Sequence, residues 1–257
     1  MLCQVRSVPA MMVAMEGFLG MTTTRACESE GADGAGRNDA MAVRRAAMVA
    51  SQIEARGVRA PAVLAAMRQV PRHEFVPAKV AHLAYEDFPL SIGWRQTVSQ
   101  PYIVALMTEL ASPGPGARVL EVGTGSGYQA AVLRATGAEV YTIEIIEPLA
   151  EQAAATLARL GYGSVHTRKG DGYRGWPEAA PFDAIVVTAA PPQVPAPLRE
   201  QLKIGGRLVL PVGTYDQELQ VITRTERGFA ERSVLPVVFV PMTGEAQTPA
   251  PEPKDKR

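Results

Sequence analysis

From Arg118 to Leu210 the chain alternates short apolar runs with stretches of helical periodicity, and this alternation restricts the fold more than any other feature. Arg118–Val122, Glu139–Ile143, Ser164–Arg168, Phe182–Val187 and Arg207–Leu210 read as strands, being short and rich in Val and Ile. Between them, Tyr128–Ala135, Pro148–Leu160 and Ala196–Leu202 read as helices, with Pro148 suited to a first turn and Gly161 to a C-terminal stop. Such alternation implies a parallel sheet with right-handed crossovers and helices on both faces. Past Gly213 the helices cease. Leu219–Thr223 and Ser233–Val240 flank a turn at Arg227-Gly228 and read as an antiparallel pair closing one sheet edge, where Pro236 is tolerated. The expected class is therefore α/β: a Rossmann-like sheet, mostly parallel, with an antiparallel C-terminal edge.

Upstream, Asp39 is expected to cap a helix that turns Val43, Ala47, Ala50 and Ile53 inward and ends at Gly57. Pro61 opens a second helix through Val63, Leu64 and Met67; Phe75–Thr97 reads as loop; Pro101–Leu110 is a third helix. The organisation expected is a flexible extension (residues 1–38), a helical and loop segment (39–111), the α/β domain (112–244) and a flexible tail (245–257).

Several function classes are disfavoured at this stage. Met1–Met21 is apolar, but Glu16 interrupts it and Arg6 alone makes a weak basic flank, so no signal peptide is expected. No run reaches the roughly 18 apolar residues of a membrane span. Lys plus Arg and Asp plus Glu both number 26, leaving no net field to attract nucleic acid or anionic lipid. Cys3 and Cys27 precede the folded region, which excludes a core disulfide or thiolate metal site and points to the cytoplasm. His73, His82 and His166 lack ligand-spaced partners, so no metal is expected.

In an open α/β sheet ligands bind beyond the carboxyl ends of the strands. There stands Glu121-Val-Gly-Thr-Gly-Ser-Gly-Tyr128, whose glycines let the backbone approach a ligand and take positive φ, although a tight turn without a ligand needs the same residues. The spacing is G-x-G-x-G, not the G-x-G-x-x-G that seats a dinucleotide pyrophosphate. Glu121 is a poor neighbour for a diphosphate and a tolerable one for a cation. Glu144 follows the first glycine by 21 residues, at the position where a carboxylate accepts ribose hydroxyls. Asp171, within Gly170-Asp171-Gly172, either receives an adenine amine or makes an ordinary turn. Together these fit S-adenosyl-L-methionine better than NAD.

Glu121–Tyr128 resembles motif I of the class I S-adenosylmethionine-dependent methyltransferases, and Phe182–Thr188 with Gly205–Pro211 resembles that fold's fourth and fifth strands. Gln96-Thr-Val-Ser-Gln-Pro-Tyr102, Thr188-Ala-Ala-Pro-Pro192, Val70–Pro77 and Tyr85–Asp87 narrow the resemblance to the protein-L-isoaspartate O-methyltransferase family, over about Arg45 to Gly244. That resemblance implies methylation of the free carboxylate of L-isoaspartyl residues in damaged proteins and peptides. It implies cofactor contacts at Gly123, Thr124, Gly125, Ser126, Gly127, Tyr128, Glu144, Ile145, Asp171 and Gly172, with 112–244 as the cofactor-binding domain. It implies substrate contacts at Ile92, Gln96, Thr97, Val98 and Gln100, and Ser99 at the active-site serine. A monomer is expected. Two residues depart from the family pattern: Ser91 and Arg95 stand where a proline and a glycine are usual, and Arg95 brings backbone strain if its φ is positive.

A carboxyl with a pKa near 4 is ionised at neutral pH, so this transfer needs no general base and a missing catalytic His is expected. Ser99 would orient the acceptor, or cap the helix that starts at Pro101. Pro191–Pro197 reads as a rigid loop able to wall the cleft. The rival readings are a methyltransferase with another acceptor, a cofactor-binding homologue with reduced turnover and, least favoured by the glycine spacing, a hydride-transferring oxidoreductase.

Overall fold

The apolar runs become strands in the computed structural model, which describes residues 40–247, all within one compact unit. In chain order the strands are β1 (Leu90–Gly93), β2 (Gln96–Val98), β3 (Arg118–Val122), β4 (Glu139–Glu144), β5 (His166–Lys169), β6 (Phe182–Val187), β7 (Leu202–Val212), β8 (Gln217–Thr225) and β9 (Gly228–Val237). The helices are α1 (residues 40–48), α2 (Pro61–Gln69), α3 (Pro101–Ala111), α4 (Tyr128–Ala135), α5 (Glu147–Arg159) and α6 (Ala196–Glu200).

β3 to β9 form a seven-stranded sheet in the order β5-β4-β3-β6-β7-β8-β9. The pairs from β5 to β7 are parallel, while β7-β8 and β8-β9 are antiparallel. The chain winds outward from β3 to β5, then restarts at β6 beside β3, so the order reverses between β3 and β6. A crevice opens at such a switch point. β3 and β6 are buried along nearly their whole length because both faces are covered. One apolar cluster joins the front helices to the sheet, setting Met48, Met67 and Val104 with Tyr128 and Leu133. A second covers the other face around Leu120, Phe182, Ile185 and Leu208.

The departures from expectation have local causes. In the first helix Met48, Val49 and Ile53 are buried, whereas Val43, Ala47 and Ala50 are exposed. The helix widens into a π-turn over Val49–Ile53, which rotates the inward face away from a 3.6-residue count. The expected cap, Asp39, and the proposed extension lie outside the described residues. Phe75–Thr97 is not all loop: it includes the β1-β2 hairpin, preceded by short 3₁₀ turns at Arg72–Phe75 and Ala78–Leu83. β5 begins two residues later than expected. β7 starts at Leu202 because the strand continues through a register irregularity between Leu202 and Arg207, where Gly205-Gly206 reads as a break by pattern alone. β9 starts at Gly228 and ends at Val237, and its first six residues are all exposed, so no alternation marks it.

Candidate active site

The cleft at the switch point lies at the carboxyl ends of β3, β4 and β6. β3 delivers Glu121 and then the glycine turn. Gly123 has φ +95°, and a β-carbon on it would collide with the Thr188 hydroxyl. Thr188, at the end of β6, donates to the carbonyls of Gly123 (2.6 Å) and Val122 (3.1 Å). Gly125 has φ +54° and lies beneath Ile92 of β1, which comes within 3.5 Å of where its β-carbon would be. The β1-β2 hairpin therefore covers the glycine turn.

Glu144, at the end of β4, is buried and accepts from the Gly125 amide (2.9 Å) and the Ile146 amide (2.8 Å). Its carboxylate thus fixes both the glycine turn and the start of α5. Asp171 accepts from Tyr173 N (2.9 Å) and Glu245 N (2.7 Å), so it makes a turn and also anchors the returning C-terminal segment. Each of its oxygens keeps a second lone pair for a further donor.

Glu121 is fully buried. Thr142 donates to its Oε2 at 2.6 Å and is approached by Thr124 Oγ1 at 2.6 Å, while Oε1 has no partner among the described residues. Burial, assisted by the nearby Glu144, pushes the Glu121 carboxyl up to about 8 against the opposing hydrogen bond from Thr142. Glu121, Glu144 and Asp171 all line the cleft, and the lining contains no Lys or Arg. A diphosphate would find no cation there; a cationic ligand with ribose hydroxyls and an amine finds acceptors for each.

Gln96, Thr97, Val98 and Ser99 form the opposite wall. Ser99 does not cap α3: the N-cap residue is Gln100, and no side chain caps that end. The Ser99 hydroxyl has no protein partner among the described residues, while its carbonyl accepts from Arg72 at 2.7 Å. A second groove shares Thr97, Ser99, Thr188 and Val240 with the cleft and runs past Gln100 and Tyr102 along the segment Leu235–Val240.

Of the residues expected to touch a ligand, Gly123, Thr124, Gly125, Ser126, Glu144, Ile145, Asp171 and Gly172 line the cleft with Gln96, Thr97, Val98 and Ser99, and Gln100 lines the groove. Gly127, Tyr128 and Ile92 do not. Gly127 packs on Leu157, Tyr128 is wholly buried with its ring edge against Phe75, and Ile92 is buried over Gly125. Sequence reasoning missed Thr188 as a lining residue, although its place after β6 was a usable signal. It also missed Val240–Thr243, which comes home by a parallel bridge between Ala190 and Pro241 that no local pattern announces. Trp94 and Arg95 line neither cavity. The histidines have ordinary settings: His73 meets the Tyr85 hydroxyl at 2.6 Å and His166 stacks on Tyr141.

The sequence profile of the family described as protein-L-isoaspartate(D-aspartate) O-methyltransferase matches residues 43–247. The chain is similar to a protein-L-isoaspartate O-methyltransferase of Gloeobacter violaceus, with 61% identity over 200 residues covering 77% of this chain and 98% of that one. An Opitutus terrae protein of the same description is 58% identical over 77% of this chain and 86% of its own length. Among solved structures, a protein-L-isoaspartate O-methyltransferase superposes with a TM-score of 0.68 at 31% identity, over 74% of this chain and 63% of that chain. A Plasmodium falciparum β-aspartate methyltransferase, crystallised with S-adenosyl-L-homocysteine, gives 0.67 at 24% identity and shares the fold.

Proposed function

The chain belongs to the protein-L-isoaspartate O-methyltransferase family, and from that premise we propose how its cleft residues divide the work. The protein is an S-adenosylmethionine-dependent carboxyl O-methyltransferase acting on the free carboxylate of L-isoaspartyl residues in damaged proteins and peptides. S-adenosylmethionine supplies a methyl group activated by attachment to a sulfonium.

In this reading Glu144 accepts the ribose hydroxyls and Asp171 the adenine amine. Main chain from Gly123 to Ser126 comes close to the ligand because nothing projects from the glycines. Glu121, with its unpartnered Oε1 and its proton retained at neutral pH, presents a polar but uncharged group to the cationic part. The fit rests on one observation: Glu144, Asp171 and the protonated Glu121, with no Lys or Arg, line the cleft beside a turn in which a β-carbon at Gly123 would meet Thr188. Ser99 orients the acceptor carboxylate by hydrogen bonding, and Thr97, Val98 and Gln100 shape its approach. The second groove receives the polypeptide on either side of the isoaspartyl residue.

An ionised carboxylate is a weak nucleophile, so the rate comes from holding one oxygen in line and excluding water, not from proton transfer. We further assign the enzyme to the cytoplasm as a monomer whose partners are proteins and peptides; its balanced charge gives nucleic acid no general attraction. Residues 39–111 serve as the substrate-side segment and 112–244 as the cofactor-side domain. No described helix is long and apolar enough to cross a membrane.

The test is incubation with labelled S-adenosylmethionine and paired peptides that differ only in Asp or isoAsp. Base-labile label on the isoaspartyl peptide alone is expected. Equal transfer to both peptides, or base-stable label, overturns the acceptor assignment.

A further inference from the structure

Arg72 is fully buried, yet no carboxylate neutralises it among the described residues. Its Nε donates to the Ala84 carbonyl at 2.8 Å and its Nη2 to the Ser99 carbonyl at 2.7 Å. The Tyr128 ring faces the guanidinium carbon at 4.9 Å, and Nη1 has no partner. Burial lowers its pKa to about 10, which leaves it charged at neutrality. An unpaired guanidinium taken out of water is costly, and carbonyls with a ring face offset only part of that.

The location of this cation bears on the reaction. The cleft is lined by Glu144 and Asp171, by Glu121 that holds its proton, and by no Lys or Arg, so an anionic acceptor enters a site of its own sign. Arg56 borders the second groove, but Asp87 already engages it at 3.2 Å. Arg72 lies directly beneath Ser99, which lines both cavities. A trans peptide sets its C=O and N–H on opposite sides, so an Arg72 hydrogen bond to the Ser99 carbonyl turns the Gln100 N–H away from Arg72. That N–H has no protein partner among the described residues. A charged donor on the carbonyl also polarises the peptide and strengthens the N–H on its far side.

We propose that Arg72 is a positioning residue for the methyl acceptor: it fixes the Ser99-Gln100 peptide from below and supplies the positive potential that admits a carboxylate to an otherwise acidic cleft. The proposal rests on the isoaspartyl-acceptor reading. Arg72 touches neither substrate nor cofactor and acts through Ser99 and Gln100.

Wild-type enzyme is first assayed on the paired Asp and isoAsp peptides; failure to discriminate them removes the acceptor reading itself, and this inference with it. Given discrimination, Arg72→Gln is expected to raise KM for the isoaspartyl peptide about tenfold or more, with a smaller change in kcat. Arg72→Lys, which keeps the charge, is expected to restore KM to within about threefold of wild type. The Kd for S-adenosylhomocysteine should stay within about twofold in both. Equal losses in the Lys and Gln variants, or losses shared by kcat and S-adenosylhomocysteine affinity, would mean that Arg72 is scaffold alone. A readout independent of variant folding is the Arg72 Nε resonance of wild-type enzyme with S-adenosylhomocysteine bound. It is expected to shift on saturation with isoaspartyl peptide, and an unmoved resonance overturns the proposal.

Discussion

The Thr188 hydroxyl lies against Gly123, donating to its carbonyl at 2.6 Å and filling the space that a β-carbon there would need. This contact ties the end of β6 to the turn after β3, across the point where the sheet order reverses. Gly123→Ala is therefore blocked twice. A non-glycine residue at φ +95° costs about 1 kcal/mol or more, and displacing the hydroxyl leaves buried polar groups unmade at about 1–3 kcal/mol. The expected loss is about 2–4 kcal/mol, a Tm drop of about 5–12 °C for a domain of this size, with S-adenosylhomocysteine affinity down at least about tenfold. Thermal unfolding with calorimetric titration checks it; an alanine variant with unchanged Tm and affinity would show that the turn has room the geometry denies.

A pH dependence follows from Glu121, whose carboxyl burial pushes up to about 8 from an ordinary value of 4.5. The native state then holds a proton that the unfolded state releases. Its contribution is whole below about pH 4.5 and is lost as pH rises toward and through about 8. At about 1.4 kcal/mol per pKa unit, the loss is of order a few kcal/mol. Glu121→Gln keeps the shape and the acceptor for Thr142 but cannot ionise. Its Tm should match wild type near pH 5 and exceed it by about 5 °C or more near pH 9, measured without ligand. A Tm difference that stays constant between those pH values would place the titration elsewhere.

The parallel sheet was legible because β3 and β6 are short, largely buried and dominated by Val, Leu, Ile and Phe, and alternate with stretches of helical periodicity. The cleft was legible in its turns, since Gly123, Glu144 and Asp171 stand at strand ends, where chemistry and local backbone need coincide. Positions whose neighbours arrive from far along the chain were not legible. Tyr128 follows the glycine turn in sequence yet turns its ring into the core against Phe75, 53 positions earlier. Val43 carries the right periodicity and is 70% exposed, because a π-turn further on resets which face meets the core. The segment Val240–Thr243 follows the last strand and is held at the cleft by long-range contacts, its pairing with Ala190 and the bond from Glu245 N to Asp171.

Ser99 separates orientation from stability. Since Gln100, not Ser99, is the N-cap of α3, Ser99→Ala removes no helix cap and Tm should hold within about 2 °C. A hydrogen bond to a charged acceptor is worth about 1.5–3 kcal/mol, so kcat/KM for isoaspartyl peptide should fall about ten- to hundredfold. The Kd for S-adenosylhomocysteine should stay within about twofold. A stability loss that accompanied the activity loss would return Ser99 to a structural role.

Trp94 and Arg95 form the β1-β2 turn with φ of +46° and +60°, a conformation that a two-residue hairpin favours and that Asn-Gly supplies cheaply. Arg95 bears a left-handed backbone cost of about 1–2 kcal/mol. Glycine would relieve it, offset by about 0.4–1 kcal/mol from the freer unfolded chain. Arg95→Gly should therefore raise stability by about 0.5–1 kcal/mol, or Tm by about 1–4 °C. Because Arg95 lines neither the cleft nor the groove, kcat and KM for isoaspartyl peptide should stay within about twofold. A higher KM would mean that the guanidinium reaches the substrate from outside the cavity wall. A lower Tm would mean that its side chain returns more than the strain takes away.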